Sequence, residues 1–467
     1  MQGLPGVNET IVDGGLGILP PNAQIQGVVG NSAYPTAEEI VILGSPREAI
    51  NLLVTGTALE KILDIFAVPN APSKVYYVKP DMTGAVAADD GVATQTSGTG
   101  NATAAAGGIP TCDRHFKLVV TEGASADVAD GKYKLSDNEG HTYGDEKSFP
   151  ASGTPITLPD GATITFTNSG TPPELVVDDV WQQWVKEAKA TTAKILDAIT
   201  ILTADRDVTR VYVTEGVDST FAASISTGNA VLLANHQYIT WVLEAITKTS
   251  AQTTAEWITA IRAEWDAYYD YTVCVNAGYG FVADIRGNVR WHNLGGILCG
   301  LRGSAKVHES IGWVRQFPIP VITGLYPIDL SDTQIETLHD DRFTVFRYWD
   351  GHGYRCVRVP MMHTDTSDFQ RLEWLETLYK AVRLVRAKAI PWVEGTGDSA
   401  SMVMFEADIK QPLENMKTIE REIQDYQLSI LETDVLGTGE VAAEMTIQPV
   451  GIIKNITLVF GLGRVTG

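Results

Sequence analysis

Val208-Thr-Arg-Val-Tyr-Val213, Tyr238-Ile-Thr-Trp-Val-Leu-Glu-Ala245 and Tyr271-Thr-Val-Cys-Val275 are short β-branched and aromatic runs, separated by helical stretches at Thr220 to Asn235 and Thr254 to Tyr268. Runs of this length read as strands, and strands alternating with helices predict a mostly parallel sheet. This series sets the fold class as α/β with α+β elements. Upstream the same order appears once more, as strand Ile25 to Gly30, helix Pro46 to Phe66 and strand Val75 to Val78. The helix carries Ala49, Leu52, Leu53, Leu59, Ile62, Leu63 and Phe66 at helical spacing.

Between the two series the composition changes. Pro80 to Pro110 is rich in Ala, Gly, Thr and Ser, with little to bury, and reads as a flexible crossing. Phe116 to Thr121, Gly131 to Leu135, Ile156 to Leu158 and Thr163 to Phe166 are short strands divided by Asp-Gly and Asn-Glu-Gly turns, which predicts a small β-sandwich inserted into the larger unit. A helix is expected over Asp179 to Ala204, with Trp181, Trp184, Ala188, Ile195, Ile199 and Leu202 on its stripe, and another over Trp291 to Leu301. Phe343 to Tyr348 and Tyr354 to Val359 flank a Trp-Asp-Gly-His-Gly hairpin turn. Ser367-Asp-Phe-Gln370 resembles a capping box opening a helix with Leu372, Leu375, Tyr379, Val382 and Ala389 on one face. A last helix after Pro412 is expected to carry Leu413, Met416, Ile419, Ile423, Tyr426 and Ile430.

The chain then runs into strand pattern. Val441 to Gly467 reads as two strands with no local partner, in which Ile456, Leu458 and Phe460 alternate with Asn455, Thr457 and Val459. Pro449 removes a donor and Gly451 loosens the backbone, so an edge or added strand is expected. Gly3 to Val12 is a second extended piece fenced by Pro and Gly. Sticky strands at both ends point to a polymer subunit.

Composition limits the alternatives. With 467 residues and 44% apolar content the chain can bury two or three cores. Cys112, Cys274, Cys299 and Cys356 form no C-x-x-C pair, so neither a zinc site nor a disulfide framework is indicated and a reducing birthplace is expected. A formal charge of -22 with no basic run argues against nucleic acid. No charged-then-apolar leader and no run of eighteen apolar residues occurs, so neither cleaved-signal secretion nor membrane insertion is expected.

Few residues offer chemistry. His339, His352 and His363 lie near Asp340, Asp341, Asp350 and Asp365, but no pair has the helical spacing of a zinc motif, and solvated loop residues are the preferred reading. Gly278-Tyr-Gly280 and Gly461-Leu-Gly463 begin a dinucleotide motif and fail at the third glycine, where Ala283 and Thr466 stand. No nucleophile elbow or phosphate loop is present. The helix from Phe369 to Ile390 carries Arg371, Lys380, Arg383, Arg386 and Lys388, which form either a solvated face or a dock for an acidic partner.

The order of parts resembles the tail sheath proteins of contractile phage tails and related injection systems. The resemblance rests on Leu4-Pro-Gly-Val7, Gly27-Val-Val-Gly30 and Val75-Tyr-Tyr-Val78 at the start, and on Arg347 with Tyr354 to Val359 followed by a long helix. Ile447-Gln-Pro-Val450 and Ile456-Thr-Leu-Val-Phe460 complete it. It implies a terminal arm at 1–24, an α/β sheath domain at 25–80 and 179–330, an outward-facing β-rich insert at 81–178, a C-terminal sheath domain at 331–440 and a strand arm at 441–467. It further implies a virion tail component, assembled in the host cytoplasm, that stacks as hexameric rings around a tail tube, meets baseplate and tail terminator proteins, and contracts without catalysis or cofactor. Val7, Thr10, Ile11, Val12, Thr446, Ile447, Val450, Ile456, Leu458 and Phe460 would then form inter-subunit strands, and the five cations of the basic helix would be candidates for the tube side. The alternatives are a metal-dependent α/β enzyme and a surface binding or adhesion protein.

Overall fold

The structure is a computed structural model that describes residues 25–249, 252–285, 287, 289–395, 397–430 and 441–453. The described residues begin with β1 (Ile25–Val29), β2 (Ile40–Leu43), α1 (Pro46–Leu53), α2 (Thr57–Ala67) and β3 (Val75–Val78). The expected single helix over Pro46 to Phe66 is thus two helices. Val54 at φ 64° and Gly56 at φ 123° occupy left-handed backbone that a helix cannot continue through.

The insert holds β4 (Thr94–Ser97), β5 (Thr103–Gly108), β6 (Arg114–Glu122), β7 (Lys132–Ser136), β8 (Lys147–Ser148), β9 (Pro155–Thr157), β10 (Ala162–Thr167) and β11 (Val180–Val185). Among the described residues these form a five-stranded sheet, β4-β11-β6-β7-β8, and a three-stranded sheet, β5-β10-β9. The two sheets enclose Phe116, Leu118, Tyr133, Phe149, Ile164, Phe166 and Trp181. Two sequence expectations change here. Pro80 to Pro110 contributes β4 and β5 to the sandwich, because strand ladders form from backbone groups and need few large side chains. Trp181 and Trp184 sit on β11, paired with β6, and the helix expected from Asp179 starts only at Thr192.

The body resumes with α3 (Thr192–Ala204), β12 (Val208–Gly216), α4 (Ser219–Ala234), β13 (Thr240–Glu244), α5 (Thr254–Trp265) and β14 (Val273–Asn276). Then come β15 (Tyr279–Ala283), β16 (Val289–Asn293), α6 (Gly295–Ser304), β17 (Ile322–Tyr326), α7 (Asp332–Asp340), β18 (Phe343–Thr344), β19 (Phe346–Trp349) and β20 (Gly353–Cys356). Trp291 lies on β16, so the helix expected from that residue begins four residues later.

Among the described residues the central sheet has seven strands in the order β18-β14-β13-β12-β1-β3-β2, parallel except for the β2–β3 pair. The expected βαβ series forms its core. Helices α3, α4 and α5 cover one face through residues such as Ile199, Phe221, Trp257 and Trp265, while α2, α6 and the helix Leu372–Ala389 cover the other through Ile62, Leu298 and Leu375. Helices α2 and α6 cross closely. A Cβ on Gly296 would stand 2.4 Å from the Lys61 carbonyl oxygen, and one on Gly300 2.5 Å from that of Ile65. Glycine at both positions is what permits this approach.

The last elements among the described residues are α8 (Leu372–Ala389), α9 (Ser399–Thr418), β21 (Ile423–Ile430) and β22 (Ala443–Pro449). The expected capping box at Ser367 forms a local turn instead, with Ser367 Oγ accepting from the Phe369 amide at 3.1 Å, and α8 starts at Leu372. The expected last helix ends at Thr418, so Ile423, Tyr426 and Ile430 belong to a strand. Pro412 is inside α9 rather than before it. Among the described residues no helix is long and apolar enough to cross a membrane.

Candidate assembly surface

The C-terminal layer is a helix pair with a hairpin laid on it. Ala381 from α8, Ile409, Leu413 and Met416 from α9, and Ile423 and Leu428 from β21 form a buried cluster, edged by Leu384, Phe405, Tyr426, Met445 and Ile447. Antiparallel pairing runs from Ile430 opposite Ala443 to Ile423 opposite Pro449. In β22, Met445 and Ile447 face the cluster while Glu444, Thr446 and Gln448 are exposed, the period-two pattern of a strand with one buried face. Burying side chains of this size contributes about 1.5 to 3 kcal/mol each, an upper range for the half-buried ones.

Charge fixes the hairpin to the helices. Lys380 Nζ lies 2.6 Å from Glu420 and 2.5 Å from Glu422, at the entry to β21. Burial pushes the Glu422 carboxyl up and Lys380 pulls it back. On the surface Lys417 pairs with Asp425 at 2.8 Å and holds its carboxyl below the usual range. A second tether joins α8 to the central sheet. Arg210 on β12 and Arg302 on α6 both reach the buried carboxylate of Glu376; burial alone would raise that group, and the two guanidiniums lower it instead. The hairpin therefore rides on a support anchored to the α/β body.

Among the described residues β21 and β22 form a two-stranded sheet, so each strand has one edge that no described strand covers. Such an edge presents backbone donors and acceptors ready for another strand. Thr446 and Ile447 are on β22 and Val450 follows it directly. The strand expected to lack a local partner has one in β21 along Ala443–Pro449. Val7, Thr10, Ile11, Val12, Ile456, Leu458 and Phe460 lie outside the described residues.

The basic helix divides. Arg371 is buried, 3.7 Å from Glu373 and stacked over Trp374, and Lys380 is inside the hairpin tether. Arg383 is half-buried and donates to the Tyr238 carbonyl at 3.4 Å. Arg386 and Lys388 are exposed. As for metal chemistry, His339 is buried on α7, His352 is at the β19–β20 turn, and His363 Nδ1 is 2.8 Å from the Thr364 carbonyl. Among the described residues no three His, Cys, Asp or Glu side chains gather to hold a metal.

Sequence reasoning missed the junction between insert and body. Arg114 on β6 and Arg290 on β16 converge on Glu60 of α2, with Asp160 of the insert 3.0 Å from Arg114 and 3.8 Å from Arg290. Beside them His292 is 2.5 Å from Asp64. Burial would raise the Glu60 carboxyl, yet the charges of Arg114, His292 and Arg290 hold it down at about 2. The signal in the sequence was Glu60-Lys61 and Asp64 interrupting an apolar helix; their partners are distant in the chain.

This architecture, a doubly covered α/β body with a β-sandwich insert and a terminal hairpin on two helices, is the fold of contractile tail sheath proteins. The sheath tail protein of Desulfitobacterium hafniense matches over 95% of this chain and 100% of its own, at 12% identity and TM-score 0.51. The contracted sheath of the extracellular contractile injection system PVC matches over 99% and 98%, at 12% identity and TM-score 0.55. The contracted helical sheath of the anti-feeding prophage matches over 99% of each chain, at 10% identity and TM-score 0.53. The chain belongs to the DUF2586 family: residues 4–354 match its N-terminal domain and residues 368–464 its C-terminal domain. No curated protein matches the sequence.

Proposed function

We propose that this protein is the structural subunit of a contractile sheath, polymerising as stacked hexameric rings around a tail tube and contracting to drive the tube through a host envelope. The observation that carries this reading is the β21–β22 hairpin, whose outer edges no described strand covers, on a fold shared along nearly the whole chain with sheath proteins. Strands from neighbouring subunits add to the two edges, by β-augmentation. The donated segments are the arm with Val7, Thr10, Ile11 and Val12 and the arm with Ile456, Leu458 and Phe460. At about 0.5 to 1.5 kcal/mol net per hydrogen bond, roughly five bonds per arm give several kcal/mol per joint before side-chain burial is added.

The joint must hold while subunits change packing. Rigid bodies turning on strand linkers meet that need, and the buried Arg210–Glu376–Arg302 contact keeps hairpin support and α/β body as one piece. Contraction then runs from a metastable long state to a better-packed short one, without catalysis or cofactor. The insert faces outward, Arg386 and Lys388 are candidate tube contacts, and the ends of the polymer meet baseplate and terminator proteins within a virion tail.

Electron microscopy of the purified full chain tests this. Hollow cylinders or rings are expected, and removal of residues 441–467 should abolish them. Unchanged polymerisation after that deletion would overturn the strand-joint reading.

A further inference from the structure

The central sheet changes winding direction between β1 and β12. From β1 the chain crosses to β3 through α2 on one face, and from β12 it crosses to β13 through α4 on the other. Open α/β sheets bind ligands in the crevice that this reversal leaves at the carboxyl ends of the strands. Here the crevice is a cavity of about 600 Å³, with Glu215 and Glu244 from the strand ends on its floor and Trp184, Glu187 and Lys189 from the end of the insert above. That volume suits a small organic molecule.

The charges around the cavity do not balance locally. Lys61 is taken by Glu244 at 2.8 Å, and Arg114 by Glu60 and Asp160. Lys189 pairs with Asp113 at 3.6 Å and also lies in the field of Glu187, Glu215 and Glu244. Exposed Lys186 and half-buried Lys248 stand at the rim with exposed Asp89. Glu187 accepts from the Thr57 amide at 3.3 Å. Glu215 is only 6% exposed, and among the described residues no donor reaches its Oε1. A carboxyl buried this way keeps its proton up to about pH 7 and ionises at lower cost where a cation meets it.

The walls narrow the choice of cation. No three ligating side chains gather among the described residues, so a bare metal ion finds no coordination shell. Trp184 and Trp291 line the space with ring centroids 6.0 Å apart and planes at 66°, and Tyr279 adds a third ring 6.4 Å from Trp291. One face of Trp184 is stacked on His115 and one face of Trp291 on Tyr326, so the rings offer apolar wall beside the carboxyls, a pairing that suits the hydrocarbon and the ammonium of an organic amine.

We propose that this cavity binds a small aliphatic amine, its ammonium held by Glu215 and Glu187 and its hydrocarbon against Trp184 and Trp291. Bound there, the amine bridges the sheet and the returning end of the insert, and so stiffens the attachment of the outer domain to the body.

The test is calorimetric titration of the full-length protein at about pH 8, above the Glu215 carboxyl's 7 or so, with 1,4-diaminobutane, beside butane-1,4-diol and potassium chloride. Saturable binding of the diamine below about 1 mM is expected, weakened at least tenfold or so in E215Q and in W184L, with no saturable binding of diol or potassium. Two variants are used so that one poorly folded protein, identified by circular dichroism, leaves the other to decide. No saturable diamine binding up to about 10 mM, equal affinity in the folded variants, or equal binding of the diol would overturn the proposal. None of these outcomes depends on whether the chain polymerises.

Discussion

Lys380, midway along α8, places its ammonium 2.5 Å from the carboxylate of Glu422, at the turn where the chain leaves α9 and enters β21. This is the electrostatic pin of the terminal hairpin. Replacing Lys380 with Met leaves Glu422 in a buried site without its cation. Because burial already favours the protonated form of Glu422, and Glu420 is one-third exposed, the cost is expected below that of a fully buried broken pair, about 2 kcal/mol. Hydrogen exchange should report it as faster exchange of β21 and β22 amides, with the central sheet unchanged.

Acid should loosen the insert before the body. The Glu60 carboxyl is held at about 2 against an ordinary 4.5, so the folded protein refuses a proton that the unfolded chain accepts. The resulting stability, on the order of 3 kcal/mol, is present above pH 4.5 and is lost as pH falls toward 2. Trp184 and Trp291 lie at this junction, so their fluorescence should change in that window. In Glu60→Gln the change should lose its steepness.

Glu215 has the opposite sign. Burial raises its carboxyl to about 7, so its favourable contribution is full below pH 4.5 and disappears as pH climbs through 7. Glu215→Gln should therefore melt higher than the natural protein at about pH 8 and nearly equally at about pH 4. A lower melting temperature at the higher pH would contradict the assignment.

The α2–α6 crossing tolerates little. Gly296→Leu has to displace the Lys61 carbonyl and should cost 3 kcal/mol or so, at the upper end for overpacking, read as a fall in denaturation midpoint. Gly153→Ala, where a Cβ meets nothing but φ is 81°, should cost only about 1 kcal/mol from backbone strain.

The four cations of α8 and Arg371 at its N-cap should separate by burial. Arg386→Glu with Lys388→Glu should leave folding stability within about 0.5 kcal/mol while weakening co-sedimentation with the tail tube. Arg371→Glu should instead unfold the helix start, since that guanidinium is buried beside Glu373 and Trp374. Equal tube binding by the Arg386 and Lys388 double variant would remove this face from the contact surface.

The alternating strands and helices at 208–275 are legible from the residue pattern, because β-branched runs and helical spacing are local properties that need no knowledge of neighbours. The strand content of the insert was legible at Phe116 and Thr163 for the same reason. The remaining elements depend on long-range packing. Trp181 and Trp184 stand three apart, as a helix stripe would place them, yet pairing with β6 makes them strand. Ile423, Tyr426 and Ile430 continue the helical spacing of Leu413 and Met416, but the chain turns at Arg421, φ 57°, and β22 supplies the partner that settles their conformation. The same limit hid the charged junctions. Glu60 and Arg290, or Arg210 and Glu376, lie far apart in sequence, and only the packed sheet and its insert bring each pair together at hydrogen-bond distance. Long-range charge pairing leaves no period in a sequence, because what selects it is the cost of burying each charge alone.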